Sequence, residues 1–260
     1  MSSSRCTSTV RDLAVVIPVY NHLSYAVRAV ASLARTVDCL ALIVDDMSTD
    51  FGEFRHRIIE AAGQNRIELL EQHQHIGMSS VLNIGLARAR EVGARYTVCA
   101  NSDVLFSPGW WEPLAAALEH YRFVGPVTNA PGHIPRQNVR GVTGPALYRK
   151  MTDHQANIDA VGAAVRKKGR TTGTQKLNGF CIAAETATWF ECQDNGFIFD
   201  PALLDGNEDA VMARARAKGM VLGIVASSYV FHYRGVTRGL LHDRHSPTNM
   251  FVYRPRGRKT

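Results

Sequence analysis

No apolar run in the chain approaches the roughly 20 residues that a membrane-spanning helix needs. The opening MSSSRCTSTV has no apolar centre, so it does not read as a secretory leader, and cytoplasmic placement is the expectation. Cysteine is scarce. The five residues Cys6, Cys39, Cys99, Cys181 and Cys192 are widely spaced and form no C-x-x-C pair, which argues against a disulfide framework and a zinc site. Cys39 and Cys99 sit in or beside apolar runs and read as small core residues. His73-x-His75 lacks a third ligand nearby in sequence, so it gives no zinc site either. Two phosphate-binding fingerprints are missing. No G-x-G-x-x-G follows the first strand, and no G-x-x-x-x-G-K-[ST] occurs anywhere. Acid is in deficit, with 23 Asp and Glu against 30 Lys and Arg and a net charge of +7. Much of the excess lies at residues 166–170 and 254–259. Such charge suits an anionic partner or a solvated loop and tail. No recognised nucleic-acid-binding motif accompanies it.

What is present is the material of a globule. A length of 260 residues, 45% of them hydrophobic, suits one large α/β domain or two small ones. Residues 1–10 are Ser/Thr-rich and read as a disordered leader. The continuous apolar runs at 13–17 and 40–44 are rich in β-branched residues, as in strands buried on both faces of a parallel sheet. Further strands are expected at 66–70, 96–100 and 123–127. Helical spacing fills the intervals at 23–34, 53–62, 77–93 and 110–120. This alternation predicts a Rossmann-like, doubly wound, mostly parallel α/β sheet with right-handed crossovers. It gives residues 11–128 as one half of a domain spanning 11–240.

From 129 to 176 the pattern degrades at Pro131, Gly132, Pro135, Gly141, Gly144 and Pro145. The expectation there is a lid insertion, a mobile loop with a helix at 153–166 over the site. Order returns over 177–240, the second α/β half. A strand is expected at 179–184, a helix at 185–191, a turn at 197–201 and a helix capped by Asn207. Two strands follow, at 221–226 and 228–231. Residues 241–260 read as a basic tail.

Three strands end in polar or acidic residues: Pro18 to Asn21, Asp45 to Asp50, and Asn101-Ser102-Asp103. In an open α/β sheet these ends line one edge, where ligands bind. Crowded carboxylates are unfavourable unless a cation or hydrogen-bond donors offset them. Asp103, with Asn101 and Ser102 beside it, is a plausible oxygen ligand for a hard cation that carries phosphates. The same triplet also fits an ordinary turn. Trp110 and Trp111 either stack on a sugar or pack at a helix start. Arg136, Arg140, Lys167 and Lys168 either reach a diphosphate or face solvent.

The motifs LAVVIPVYN (13–21), VDDMSTD (44–50), Asn83-x-Gly85 and NSD (101–103) resemble the nucleotide-binding half of family 2 glycosyltransferases with the GT-A fold. Gly179-Phe-Cys, Phe199-Asp-Pro, Asn207-Glu208-Asp209 and His232-x-x-Gly235-x-Thr237 resemble its acceptor half. The resemblance implies nucleotide-sugar contacts at Pro18, Tyr20, Asn21, Asp45, Asp46, Asn83, Asn101, Ser102 and Asp103. It implies Asp209, with Glu208 beside it, as the catalytic base; both acids would serve equally as helix caps. It implies Mn²⁺ or Mg²⁺ at Asp103 and His232. Asn101 departs from the family's metal motif, which has an acid there. The implied activity is inverting, single-addition transfer from a nucleoside-diphosphate sugar. The acceptor could be a glycan, a lipid carrier, a small molecule, a protein or modified nucleic acid, and a homodimer is compatible with the reading. The other function classes are a nucleotidyltransferase and a non-catalytic carbohydrate- or nucleic-acid-binding module on a degenerate transferase scaffold.

Overall fold

The computed structural model describes residues 12–203 and 206–234. The expected leader, the tail, Cys6, Gly235 and Thr237 lie outside the described residues. In chain order the elements are β1 (Leu13–Val19), α1 (Leu23–Ala34), β2 (Leu40–Asp45), α2 (Phe51–Ala61), β3 (Arg66–Glu71), α3 (Met78–Glu91), β4 (Tyr96–Ala100), β5 (Val104–Phe106), α4 (Trp111–Ala117) and β6 (Phe123–Val127). After a 3₁₀ turn at Pro135–Gln137 come α5 (Arg140–Thr143), α6 (Pro145–Tyr148), α7 (Gln155–Lys168), β7 (Thr171–Thr174), β8 (Cys181–Glu185), α8 (Thr186–Glu191), α9 (Asn207–Ala217) and β9 (Leu222–His232). None of the described helices is long and apolar enough to cross a membrane.

The strands form a single sheet in the order β3-β2-β1-β4-β8-β6-β9-β5, with β7 also paired to β9. Strands β1 to β4 are mutually parallel. β8 runs antiparallel between β4 and β6, and β6 is parallel to β9. Strands β1, β2, β3, β4, β6 and β9 therefore all point one way, and their C-terminal ends share one edge.

β1 and β2 are buried along their whole length, which is why their sequences are continuous rather than alternating. Leu13, Val15, Ile17 and Val19 face the layer that contains Leu23, Val30 and Leu33 of α1. Ala14 and Val16 face the opposite layer, with Val81, Leu86 and Ala89 of α3. α3 approaches β1 so closely that a Cβ at Gly85 would lie 2.2 Å from Val16 Cγ1.

The segment 129–176 divides in two. α7 buries Ile158, Val161 and Val165 and is tied to α1 by an Arg35–Asp159 ion pair, with Arg28–Asp153 joining α1 to the segment just before it. β7 extends the sheet along β9. This later part is a layer of the core, because its apolar stripe has a sheet to cover. The two strands expected at 221–226 and 228–231 are one strand, β9, with a register shift. Pro126 pairs with Val225, yet Val127 pairs with Tyr229. Such a bulge absorbs extra residues without ending the strand.

Candidate active site

The common edge is assembled by register. β5 lies antiparallel to β9 with Val104 opposite His232, so Asp103, one residue earlier, meets the end of β9. Asp103 Oδ1 lies 3.3 Å from His232 Nε2, and both side chains are buried. The backbone carbonyl of Asp103 accepts from Tyr233 N at 3.0 Å. His232 is held on several sides. Asn129 clamps its backbone, its Oδ1 accepting from His232 N at 2.8 Å and its Nδ2 donating to His232 O at 3.0 Å. The Phe180 ring stacks on the imidazole at 5.3 Å. Nδ1 faces the carbonyl of Ala130 at 3.3 Å.

A carbonyl only accepts, so Nδ1 carries the hydrogen. In the neutral ring, Nε2 then presents a lone pair toward the carboxylate of Asp103. Asn101 Nδ2, 3.5 Å from Nε2, offers that lone pair a donor, which a carboxylate at position 101 would not. Among the described residues, no group of three or more His, Cys, Asp or Glu side chains converges as a metal site.

The second cluster joins the ends of β1 and β2. Asp46 is 2% exposed. Its Oδ1 accepts from Ile76 N at 2.7 Å and its Oδ2 from Gly77 N at 3.0 Å. His75 Nδ1 lies 2.9 Å from the same Oδ2. Asp46 thus anchors the loop between β3 and α3, and the His75 ring it holds lies 4.4 Å from that of Tyr20. Asp45 Oδ2 accepts from Ser48 N at 3.0 Å, while its Oδ1 is covered and has no donor among the described residues. Burial pushes the Asp45 carboxyl above its ordinary value, and the Ser48 hydrogen bonds oppose the shift. Asn21 donates its N–H to Ser48 Oγ at 2.8 Å, and its Oδ1 accepts from Thr49 N at 3.1 Å. Asn21 has φ 54°, a left-handed conformation that Asn tolerates. Its neighbour His22 is covered at Nε2, and burial lowers its pKa against the pull of Asp103.

The remaining acids sit in the first turn of α9. The cap is Gly206 at φ 73°, with no side-chain cap hydrogen bond. Asn207, the expected N-cap, is instead the first helical residue, and its Nδ2 donates to Leu203 O at 2.7 Å. A left-handed glycine already turns the chain there. Asp209 Oδ2 pairs with Lys176 Nζ at 2.8 Å, and His133 Nε2 is 3.8 Å away. Asp209 Oδ1 is covered and has no donor among the described residues. Glu208 lies against Gly179, where a Cβ would be 3.1 Å from its Cδ. The carbonyl of the next residue, Phe180, accepts from Asn101 N at 2.9 Å, and its ring stacks on His232. Glu208 is thereby linked to the Asp103 end of the edge.

Two further expected nucleotide contacts are Asn83 and Pro18. Asn83 staples the turn before Pro201: its Oδ1 accepts from Ile198 N and Phe199 N, and its Nδ2 donates to Phe199 O at 2.7 Å. Pro18 is buried one residue before the C-terminal end of β1, paired with Val44 beside Asp45. Ser102 is half-buried beside Asp103. Trp110 and Trp111 are core residues, at 0% and 7% exposure. Arg136, Arg140, Lys167 and Lys168 are exposed. Sequence reasoning passes over Lys176, His133, Asn129 and His22, and weighs His75 only as a metal ligand. Of these only His22, directly after Asn21, carries a local signal.

The sequence profile described as Glycosyl transferase family 2 matches residues 14–176. No curated protein matches the chain. Among solved structures, that of S. aureus TarS residues 1–349 is similar with a TM-score of 0.58 and 15% identity over 85% of this chain and 60% of that one. The same protein in complex with UDP-GlcNAc gives a TM-score of 0.56 and 14% identity, covering 85% and 58%. Its complex with UDP gives 0.53 and 14%, covering 85% and 60%. The chain thus spans about 60% of the length of the structures it resembles.

Proposed function

The chain belongs to glycosyl transferase family 2, enzymes that move a sugar from a nucleotide sugar, and from that premise we propose that it inverts the anomeric carbon of a nucleoside-diphosphate sugar in transferring it to an acceptor hydroxyl or amine. The observation that carries this reading is the shared strand edge. Buried Asp45 and Asp46 end β2 on it, the buried Asp103–His232 pair lies where β5 meets β9, and Phe180 and Gly179 link that pair to the acids of α9.

The fit to a divalent cation rests on the Asp103–His232 pair. A carboxylate oxygen and an imidazole nitrogen, both buried, face each other at 3.3 Å, and both are atom types that bind divalent cations. Asp103 and His232 would therefore hold Mn²⁺ or Mg²⁺. Bound there, the ion would neutralise negative charge on the departing diphosphate.

The chain's own groups do the rest. Asp209 takes the proton of the acceptor hydroxyl or amine as that atom attacks the anomeric carbon. The bond between that carbon and the diphosphate oxygen breaks on the opposite face, and its electron pair leaves with the nucleotide. The first turn of α9 places Asp209 where free N–H groups and the helix dipole favour a carboxylate. The Tyr20–His75 pair, fixed by Asp46, offers an aromatic surface to a base. Uridine nucleotides are the donors to try first, since the similar TarS structures hold UDP-GlcNAc and UDP.

The test is a panel of nucleoside-diphosphate sugars with and without Mn²⁺, read as nucleotide release and as the anomeric configuration of the product by NMR. Inverted product from one donor is expected. Retained configuration would remove the single-displacement reading, and release of pyrophosphate from a nucleoside triphosphate would favour a nucleotidyltransferase.

A further inference from the structure

We propose that Lys176 is a positioning residue for the reaction: by holding Oδ2 of Asp209, it leaves Oδ1 as the oxygen that receives the acceptor's proton. The inference rests on Asp209 being the base. Its observations are separate from those that suggested the base.

The two oxygens of Asp209 are unequal. Oδ2 faces Lys176 Nζ at 2.8 Å, with His133 Nε2 at 3.8 Å on the same oxygen. Oδ1 is covered and none of the described residues donates to it. A buried carboxylate oxygen without a donor is unfavourable, and such groups call for a specific explanation. An acceptor O–H or N–H directed at Oδ1 would supply the missing donor, and that same hydrogen is the one the transfer removes.

Lys176 is built to hold the other oxygen. It is 49% exposed at its side chain, and an exposed ion pair contributes little to folding. Its backbone is fixed, however. Its N–H donates to Thr174 Oγ1 at 3.4 Å, and its carbonyl accepts from the same hydroxyl at 3.0 Å. The following Leu177 is fully buried. Thr174 ends β7, which is paired to β9. The ammonium therefore reaches Asp209 from the segment just after β7, while the carboxylate is carried by α9. Holding a reacting group in one orientation is where small displacements cost most in rate.

The experiment measures kcat and donor KM for K176A, K176M and K176R beside D209N, in the full chain with the best donor of the panel, with UDP affinity by calorimetry. K176M keeps the apolar stem should K176A not fold. The expected result is a fall in kcat of about 10- to 100-fold in K176A and K176M, with UDP affinity and donor KM unchanged. K176R should recover part of the loss. Normal kcat in a folded K176A or K176M, beside an inactive D209N, overturns the role of Lys176 alone. A rise in donor KM at unchanged kcat also overturns it, because the lysine would then serve the donor. Normal turnover by D209N removes the base itself, and that outcome is distinct from the other two.

Discussion

Asp46 and Asp209 are both carboxylates at the working edge, and the molecule treats them oppositely. Asp46 is 2% exposed and saturated, with two backbone N–H groups and an imidazole on its oxygens. Asp209 is half-buried, held through one oxygen by Lys176, with the other oxygen lacking a donor among the described residues. The first builds: it fixes a loop and presents His75. The second is available. Both are read from acidic motifs of the same appearance, so residue type alone does not separate a carboxylate that organises a site from one that reacts in it. The hydrogen-bond complement does.

The strongest way to break the comparison is Asp209→Asn. An amide cannot take the acceptor's proton. The loss of a general base gives an expected fall in kcat of about 10²- to 10⁴-fold, with UDP binding and melting temperature close to the parent's. A large fall in melting temperature would place Asp209 with Asp46 among the builders.

Asp46→Asn should show the converse. The amide oxygen can satisfy one of the two backbone donors, and its NH₂ then opposes the other. Hydrogen bonds to a buried charge are worth about 1.5–3 kcal/mol each, so a loss of about 2–3 kcal/mol in urea denaturation is expected on the same basis. The loop between β3 and α3 should loosen first, as faster hydrogen exchange at Ile76 and Gly77. A D46N protein of parental stability but with weakened donor binding would instead make Asp46 a direct ligand.

The same contrast explains what is legible in the sequence. β1, β2 and β4 are announced by uninterrupted runs rich in β-branched residues, and the parallel sheet follows from their alternation with helices. The acidic strand ends are visible for the same reason, since a strand's end is a local property. Partners across the chain are not. His75 meets Asp46 across 29 residues, Lys176 meets Asp209 across 33, and Asn83 meets Phe199 across 116. Nothing in the Thr- and Gly-rich neighbourhood of Lys176 marks it. β9 reads as two strands in the sequence because its bulge is set by its pairing with β6, an element remote along the chain.

Asn83→Ala sharpens that point with a smaller effect. Its amide makes three contacts to Ile198 and Phe199 backbone, in a half-buried setting where water can replace part of the loss. A decrease of about 1–2 kcal/mol in unfolding free energy is expected, with UDP affinity unchanged. Weaker UDP binding without a stability loss would return Asn83 to the nucleotide site.

Asp45 gives the smallest effect and the finest test, because it combines both behaviours: one oxygen bonded by Ser48 N and one without a donor among the described residues. Burial raises its carboxyl pKa in the folded chain above the ordinary carboxylate value. The folded state then binds more protons than the unfolded state between those two values, so this group's contribution to stability falls as pH rises through that window. The penalty is fully present above the folded pKa and absent below the unfolded one. Asp45→Asn removes the titration. The variant should melt slightly higher than the parent at neutral pH, and the difference should vanish as pH falls below the ordinary carboxylate range. Melting curves of both proteins across that range read the sign directly. If the D45N variant is less stable than the parent at neutral pH, the ionised carboxylate is a builder like Asp46. If D45N is more stable but binds UDP more weakly, Asp45 is kept charged for its ligand at a cost to the fold.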